Sequence, residues 1–356
     1  MKNAAKRFVV ACGGTGGHVF PGIAVAQVLK AHGHEVEVWL SGRDIEKSSA
    51  HGWDGVTFRS GVKQLSVKNI PNVVASLFKC RARIRKFKPH ALLAMGSYAS
   101  LPPVLAAKMS GIPVVLHEAN TVPGKAVDTL SRFADTVAIS FNESAKHLTG
   151  RNTVFTGLPV RDELVLCEPF NDLPDGKFKV FVTGGSQGAH RVNELVSQAF
   201  ALLEKEHPGR AMLIHQCGRA DEERLKTFYR ENGVDAQVFA FIEEMGSAYA
   251  SADLVIARAG ASTCFELALL GKPTLLIPLP TAIRDHQHEN AQALVAAGGA
   301  DEAIQKELTG RSLMRYLLGK MNNPAVLHKM SLAMKSFAVP DAAERVARIL
   351  ERHASK

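Results

Sequence analysis

Apolar residues along the chain fall into short runs, each followed by a longer stretch with helical spacing. In the first half the runs cover residues 8–12, 36–40, 56–58, 91–95, 113–116 and 136–139. In the second half they cover 180–183, 212–214, 238–242, 254–257 and 274–277. They are rich in Val, Ile and Leu and do not alternate cleanly with polar residues. That is the pattern of parallel strands buried on both faces and joined by crossover helices. Gly33, Gly111 and Gly271 follow the helical stretches 23–32, 104–110 and 263–270 and stand where C-terminal caps belong. The pattern predicts an α/β protein with two doubly wound parallel-sheet domains, residues 1–160 and 161–339. A proline-containing linker covers 157–175, and an amphipathic helix within 340–356 packs back on the first domain.

The two halves also open alike. Residues 8–12 run into Gly13-Gly-Thr-Gly-Gly-His18, and residues 180–183 run into Gly184-Gly-Ser-Gln-Gly-Ala-His190. Each is a strand entering a glycine-rich turn and then a helix. Glycine permits close backbone approach, and the helix start offers N–H groups and a positive dipole end, so the pair points to anionic ligands. Neither loop is GxGxxG, and no Gly-Lys pair precedes Ser or Thr. The dinucleotide dehydrogenase and the P-loop NTPase are therefore weakened. HExxH is absent and no His/Cys spacing supports a catalytic metal, so none is expected.

Composition adds little beyond an ordinary soluble balance, 46% hydrophobic and 22% charged over 356 residues. Five scattered cysteines, none in a CxxC pair, suit a reducing compartment. The apolar run after the basic start is too short for a signal-peptide core. Residues 89–107 carry no formal charge, but their prolines and glycine read as strand, loop and helix start rather than a membrane span. Charge changes the picture more. The net is +9, yet no acidic residue stands between Asp54 and Glu118, where ten basic ones do. Such local asymmetry points to an anionic partner: nucleic acid, a membrane surface or a phosphorylated substrate.

A further constellation reads Arg258-Ala-Gly-Ala-Ser-Thr-Cys-Phe-Glu266. A strand ends, a small-residue turn follows, and Ser262 or Thr263 can start a helix that receives a diphosphate. Glu266 is then placed in the first helical turn, where a carboxylate can hold a ribose diol. Thr263 to Glu266 also fits a capping box. Asp285-His-Gln-His-Glu-Asn290 puts polar side chains after the run 274–277, at the carboxyl end of a strand, where Asp285 could also cap a helix.

Together these motifs resemble the bacterial peptidoglycan N-acetylglucosaminyltransferases, the family that makes lipid II from lipid I. The matching elements are Gly13 to Gly22, Pro113-Val-Val-Leu-His-Glu118 with Asn120, Gly157-x-Pro-Val-Arg161, Gly184 to Ala189, Phe241-Ile242, Arg258 to Glu266, and Asp285-His-Gln287 with Asn290-Ala291. The resemblance implies the GT-B fold, two Rossmann-like domains facing a cleft, and an inverting transfer that needs no metal or cofactor. It implies UDP-N-acetylglucosamine as donor in the C-terminal domain. The acceptor, an undecaprenyl-diphosphate-linked muramyl pentapeptide, belongs to the N-terminal domain. Carried over by motif, Thr15, Gly16, Gly17, Asn120 and Arg161 touch the donor, Ser186 lies at the pyrophosphate, and Ile242 meets the uracil. Ala261, Ser262, Thr263, Cys264 and Phe265 supply turn and backbone contacts, Glu266 holds the ribose, and Gln287, or His288 beside it, holds sugar hydroxyls. Gly96 and Tyr98 belong to the acceptor loop. There Ser97 stands where the family has a second glycine, and serine disfavours positive φ. Ala119 replaces the family's usual amide.

An inverting displacement needs one base for the acceptor hydroxyl and several donors for the leaving diphosphate. His18 is the favoured base and Glu118 the second candidate. Ile70, Val73, Val74, Leu77 and Phe78 form an apolar helix stripe followed by Lys79, Arg81, Arg83 and Arg85. This segment suits peripheral docking on an anionic membrane at its cytoplasmic face. Competing readings are another lipid glycosyltransferase of the same architecture, such as a diacylglycerol galactosyltransferase, a UDP-sugar epimerase, and a nucleic-acid-binding module. The last lacks any RNA-binding signature, so no nucleic acid is expected.

Overall fold

Strand β1 (Arg7–Ala11) shows why the apolar runs lack polar alternation. Phe8, Val10 and the following Cys12 pack into one core, while Val9 and Ala11 pack into another on the opposite face. The protein is described here from a computed structural model over residues 4–43, 46, 53–61, 70–185 and 188–355. Around β1 the strands β2 (Glu35–Leu40), β3 (Val56–Arg59), β4 (Ala91–Ala94), β5 (Val114–Glu118), β6 (Thr136–Ile139) and β7 (Thr153–Phe155) form one parallel sheet. Its order is β3-β2-β1-β4-β5-β6-β7. Helix α1 (Gly16–Ala31) and the C-terminal helix α12 (Ala342–His353) cover one face through Ile23, Leu29, Val346 and Leu350. The other face is covered by α2 (Ile70–Phe87), α3 (Leu101–Lys108) and α4 (Lys125–Leu130) through Cys80, Ile84, Val104 and Leu130. Gly22 lets α1 lie close on the sheet, because a Cβ there would sit 2.5 Å from the Cys12 Cβ.

A second parallel sheet contains β8 (Phe178–Thr183), β9 (Ala211–Gln216), β10 (Ala236–Phe239), β11 (Leu254–Ala257), β12 (Thr274–Leu276) and β13 (Ala300–Glu302). Its order is β10-β9-β8-β11-β12-β13. The helices are α5 (His190–Glu206), α6 (Glu222–Glu231), α7 (Met245–Ser251), α8 (Ala261–Leu269), α9 (His286–Ala296), α10 (Gly310–Met321) and α11 (Pro324–Phe337). Val180, Val182, Leu195, Phe200, Leu313 and Leu317 anchor one core.

The chain divides into two units, Met1–Arg161 with Val339–Lys356, and Asp162–Ala338. Each is a doubly wound parallel-sheet domain, the pair expected of GT-B. Helix α12 lies with α1 in the first unit, where Glu351 accepts from His32 at 2.7 Å and His34 at 3.1 Å. In each sheet the strand order reverses once beside the strand that enters a glycine loop, between β1 and β4 and between β8 and β11. Ligands of open parallel sheets bind outside the carboxyl ends at such switch points.

Three differences from the sequence pattern have local causes. β7 and β13 are three-residue edge strands, which need no long apolar run because one side faces away from the sheet. β10 ends before residues 241–242, because its pairing with β9 stops at Phe239 opposite Gln216, and Phe241 beyond it is exposed. α1 begins at Gly16, well before the apolar stretch at 23–32, and carries Pro21 inside it.

Candidate active site

In the first unit the loop after β1 turns into α1 at Thr15, which is extended and makes no side-chain cap bond. The first-turn N–H groups of Gly16 and Gly17 therefore lie at an open helix end. His18 is half-buried in that turn, its Nδ1 3.2 Å from the Thr15 hydroxyl. Burial, with the Arg43 charge second, lowers its pKa to about 4, so it is a neutral imidazole at pH 7. Glu118 ends β5 and is almost fully buried. Its Oε1 accepts from the Asn120 N–H at 2.8 Å and the Asn120 amide at 3.2 Å, and its Oε2 from the Gly124 N–H at 3.1 Å. Burial pushes its carboxyl up to about 7 against those donors. Arg161 lays its guanidinium 4.2 Å over the Phe20 ring, with its buried Nε unpartnered among the described residues. A cation pre-stacked in this way is set to meet an anion.

Gly96 opens the loop after β4, and Tyr98 is exposed there. Ser97 is extended, with φ −83° and ψ 161°, and the positive φ falls on Gly96 instead, so the serine carries no strain. Its hydroxyl donates to the Gly13 carbonyl, tying this loop to the first glycine loop.

In the second unit, Ser186 lies outside the described residues. Helix α8 starts at Ala261 with Gly260 as N-cap and no side-chain cap, so the capping box at Thr263–Glu266 is not formed. The earlier start moves Glu266 into the second turn, half-buried, where its Oε2 accepts from the Tyr249 hydroxyl at 3.1 Å. Ala261, Ser262 and Thr263 keep first-turn N–H groups. Cys264 is buried with its N–H on the Gly260 carbonyl at 3.0 Å, and Phe265 is buried and packs on Phe337. Ile242 is buried just past β10. Gln287 accepts from the Leu279 N–H at 3.0 Å, and its neighbour His288 pairs with Glu302 at 2.7 Å. Asp285 precedes α9 in a left-handed conformation and makes no side-chain cap bond. Arg258 holds the Ile277 and Pro278 carbonyls at 3.0 Å each, a backbone-fixing role.

Helix α2 divides its apolar stripe. Val73 and Leu77 turn partly inward above Cys80 and Ile84, while Ile70, Val74 and Phe78 are 55%, 44% and 61% exposed. The basic residues divide too. Arg83 is not available to a membrane: it forms a bidentate pair with buried Glu37, at 2.5 and 3.0 Å. Lys79 donates to the Arg59 carbonyl at 2.6 Å, and Arg81 buries its Nε, whereas Arg85 and Lys86 are exposed. No helix among the described residues is long and apolar enough to cross a membrane.

Glu46, Phe20, Tyr249 and Asn193 were not singled out by motif. Phe20 stood inside a matched motif, but Glu46 had no local signal.

The chain matches the model of the glycosyltransferase family 28 N-terminal domain over residues 8–139 and that of its C-terminal domain over 179–346. It is 34% identical over 364 residues to the UDP-N-acetylglucosamine--N-acetylmuramyl-(pentapeptide) pyrophosphoryl-undecaprenol N-acetylglucosamine transferase of Thermodesulfovibrio yellowstonii, covering 97% of this chain and 98% of that protein. It is 38% identical over 368 residues to the protein of the same name from Shewanella loihica, covering 99% and 98%. Among solved structures, MurG of Acinetobacter baumannii superposes with a TM-score of 0.80 at 30% identity, over 98% of this chain and 99% of that one. A putative UDP-N-acetylglucosamine 2-epimerase from Listeria monocytogenes reaches 0.77 at 12% identity, over 99% and 97%, a likeness of fold alone.

Proposed function

The chain belongs to glycosyltransferase family 28, and from that premise we infer that it is a peptidoglycan N-acetylglucosaminyltransferase. It moves N-acetylglucosamine from UDP-N-acetylglucosamine to the muramyl 4-hydroxyl of the undecaprenyl-diphosphate-linked pentapeptide, with inversion. One observation carries the reading: near full-length identity of 34–38% to proteins named for this activity. The fold does not choose, since 2-epimerases share it. The test is transfer of labelled N-acetylglucosamine from UDP to a lipid I analogue. Epimerised UDP-sugar, with no labelled lipid, would overturn the reading.

The reaction is a direct displacement at the anomeric carbon. The acceptor hydroxyl loses a proton as the new bond forms, and the leaving UDP gains negative charge. Neutral His18 takes that proton, and a bound diphosphate would raise its low pKa toward the working range. Glu118 is less suited, because both its oxygens already hold the 118–124 loop. From the second unit, the N–H groups of Ala261 to Thr263 receive the UDP diphosphate, Glu266 the ribose, the Ile242 backbone the uracil, and Gln287 the sugar. In the first unit, Thr15, Gly16, Gly17, Asn120 and Arg161 gather donors for an anionic group, and Gly96 and Tyr98 serve the acceptor loop.

The acceptor is lipid-linked, so the protein docks peripherally at the cytoplasmic face of the membrane. The exposed Ile70, Val74 and Phe78 with Arg85 and Lys86 support α2 as the docking element. Replacing the three apolar residues by Ser and the two cations by Glu should abolish sedimentation with anionic vesicles and spare UDP binding. Undiminished sedimentation would remove α2 from the interface.

A further inference from the structure

Glu46 is a fully buried carboxylate with no role in the chemistry above. It stands in the segment after β2, the strand paired with β1, at a helical position. Its Oε1 accepts from the Gly14 N–H at 2.8 Å, the Ser41 N–H at 3.3 Å and the Ser41 hydroxyl. Its Oε2 accepts from the Gly42 N–H at 2.7 Å and the Arg43 N–H at 3.1 Å. Four backbone N–H groups converging on one anion make the kind of nest that elsewhere binds phosphate. Here the anion is internal. The nest spans two loops, one of which carries His18 and the open start of α1. The loops are in close contact, since a Cβ on Gly13 would lie 2.5 Å from the Ser41 nitrogen. From the other neighbour of β1, the loop after β4, Ser97 donates to the Gly13 carbonyl. The first glycine loop is thus gripped at adjacent residues from both flanking strands.

We propose that Glu46 is a positioning residue for the transfer: its buried carboxylate clamps Gly14 to the loop after β2 and sets His18 and the N-terminus of α1 in register for the acceptor. The proposal rests on the reading of that loop as part of the transferase site. Gly14 consequently has no N–H to give a substrate, and the loop's ligand-facing donors are those of Gly16 and Gly17. Glu46 touches no reacting atom, so its loss acts through misplacement, and misplacement by an ångström at a reacting centre can lower a rate about a hundredfold.

Glu46→Gln keeps the shape but turns an NH2 toward the Gly42 and Arg43 N–H groups. The full-length variant is assayed for transfer to a lipid I analogue, for UDP affinity and for amide exchange in the peptide covering 13–18. The expected result is a fall in kcat of about tenfold or more, faster exchange at that peptide, and unchanged UDP affinity, since the second unit carries most of the UDP contacts. A parent-like kcat in a folded variant overturns the proposal and leaves the transferase reading intact. Absence of transfer by the parent overturns that reading instead. Should Glu46→Gln fail to fold, Ser41→Ala decides: it removes one donor to Glu46, and kcat should fall about two- to fivefold with UDP affinity unchanged. An unchanged kcat there counts against the clamp.

Discussion

The loop after β1 and the loop after β8 follow equivalent strands in two sheets, each beside a switch point and each running into a long helix. The first is held by a buried charge, Glu46, reaching in from 32 residues away. The second abuts the Cys217 carbonyl, which a Cβ on Gly188 would strike, and that carbonyl is held by a relay that starts on α5. Asn193 of α5 donates to the Cys217 carbonyl and to Asp221, both at 2.8 Å, and its Oδ1 accepts from His215 Nε2 at 3.1 Å. That bond places the His215 proton on Nε2, so Nδ1 accepts from the Tyr229 hydroxyl at 2.8 Å. Burial lowers His215 to about 3, which keeps it neutral. In both units the loop meets the segment that follows the neighbouring strand, after β2 for β1 and after β9 for β8. A shared turn pattern therefore fixes where a ligand loop sits but not what holds it, and the two loops should respond differently to substitution.

The largest expected difference lies in the chemistry. His18→Ala should lower kcat by roughly 10²–10⁴ with UDP affinity nearly unchanged, because the first loop serves the proton transfer. If kcat is kept and UDP affinity falls, the first loop is a second donor clamp and the contrast collapses. If Glu118→Gln instead abolishes turnover, the base has been misassigned.

Support of the second loop comes next. Asn193→Ala removes three buried bonds and orphans the Cys217 carbonyl and His215 Nε2, which should cost about 3 kcal/mol of stability. The urea midpoint of the second unit is the measurement, and an unchanged midpoint would show the relay to be incidental. Smaller again is the ribose contact. Glu266→Ala should weaken UDP binding by about 1–3 kcal/mol, and Tyr249→Phe by a fraction of that, since its hydroxyl holds Glu266 Oε2. Equal UDP affinity in the Glu266 variant would take that residue out of the site.

The central strands and the glycine turns were legible because strands buried on both faces must be apolar throughout, and tight turns must be glycine. What escaped depends on partners distant in sequence. Glu46 is one acid in a segment with no motif, and only the pairing of β1 with β2 brings it under Gly14. Arg83 read as one more surface cation until β2 placed Glu37 beside it. Glu266 shifted from the first to the second turn because Gly260, extended at φ −66° and ψ 142°, starts the helix earlier than Thr263 would. Cys264 and Phe265 sat in a motif that looks like a turn but folds as helix, and helix buries them.

The remaining expected effect is the pH dependence, and it has opposite sign in the two units. Burial raises Asp221, but bonds from Arg224, Asn193 and His190 more than offset this and bring it to about 2, below its usual 3.8. An acid with a lowered folded pKa adds stability above its unfolded pKa and loses it as pH falls, so the second unit should weaken from about 3.8 down toward 2. Glu118 in the first unit is raised by burial from 4.5 to about 7. A raised carboxyl adds its stability below the unfolded pKa and loses it as pH rises, so the first unit should weaken between about 4.5 and 7. At about 1.4 kcal/mol per pH unit, the changes come to roughly 2 kcal/mol for Asp221 and roughly 3 kcal/mol for Glu118. Amide exchange in α5 and in α4 reports the two units separately. Asp221→Asn should flatten the acid branch in α5 only, and Glu118→Gln the branch toward neutrality in α4 only. If both probes weaken together toward acid, burial does not hold Glu118 protonated, and its bonds to Asn120 and Gly124 hold it as a carboxylate instead.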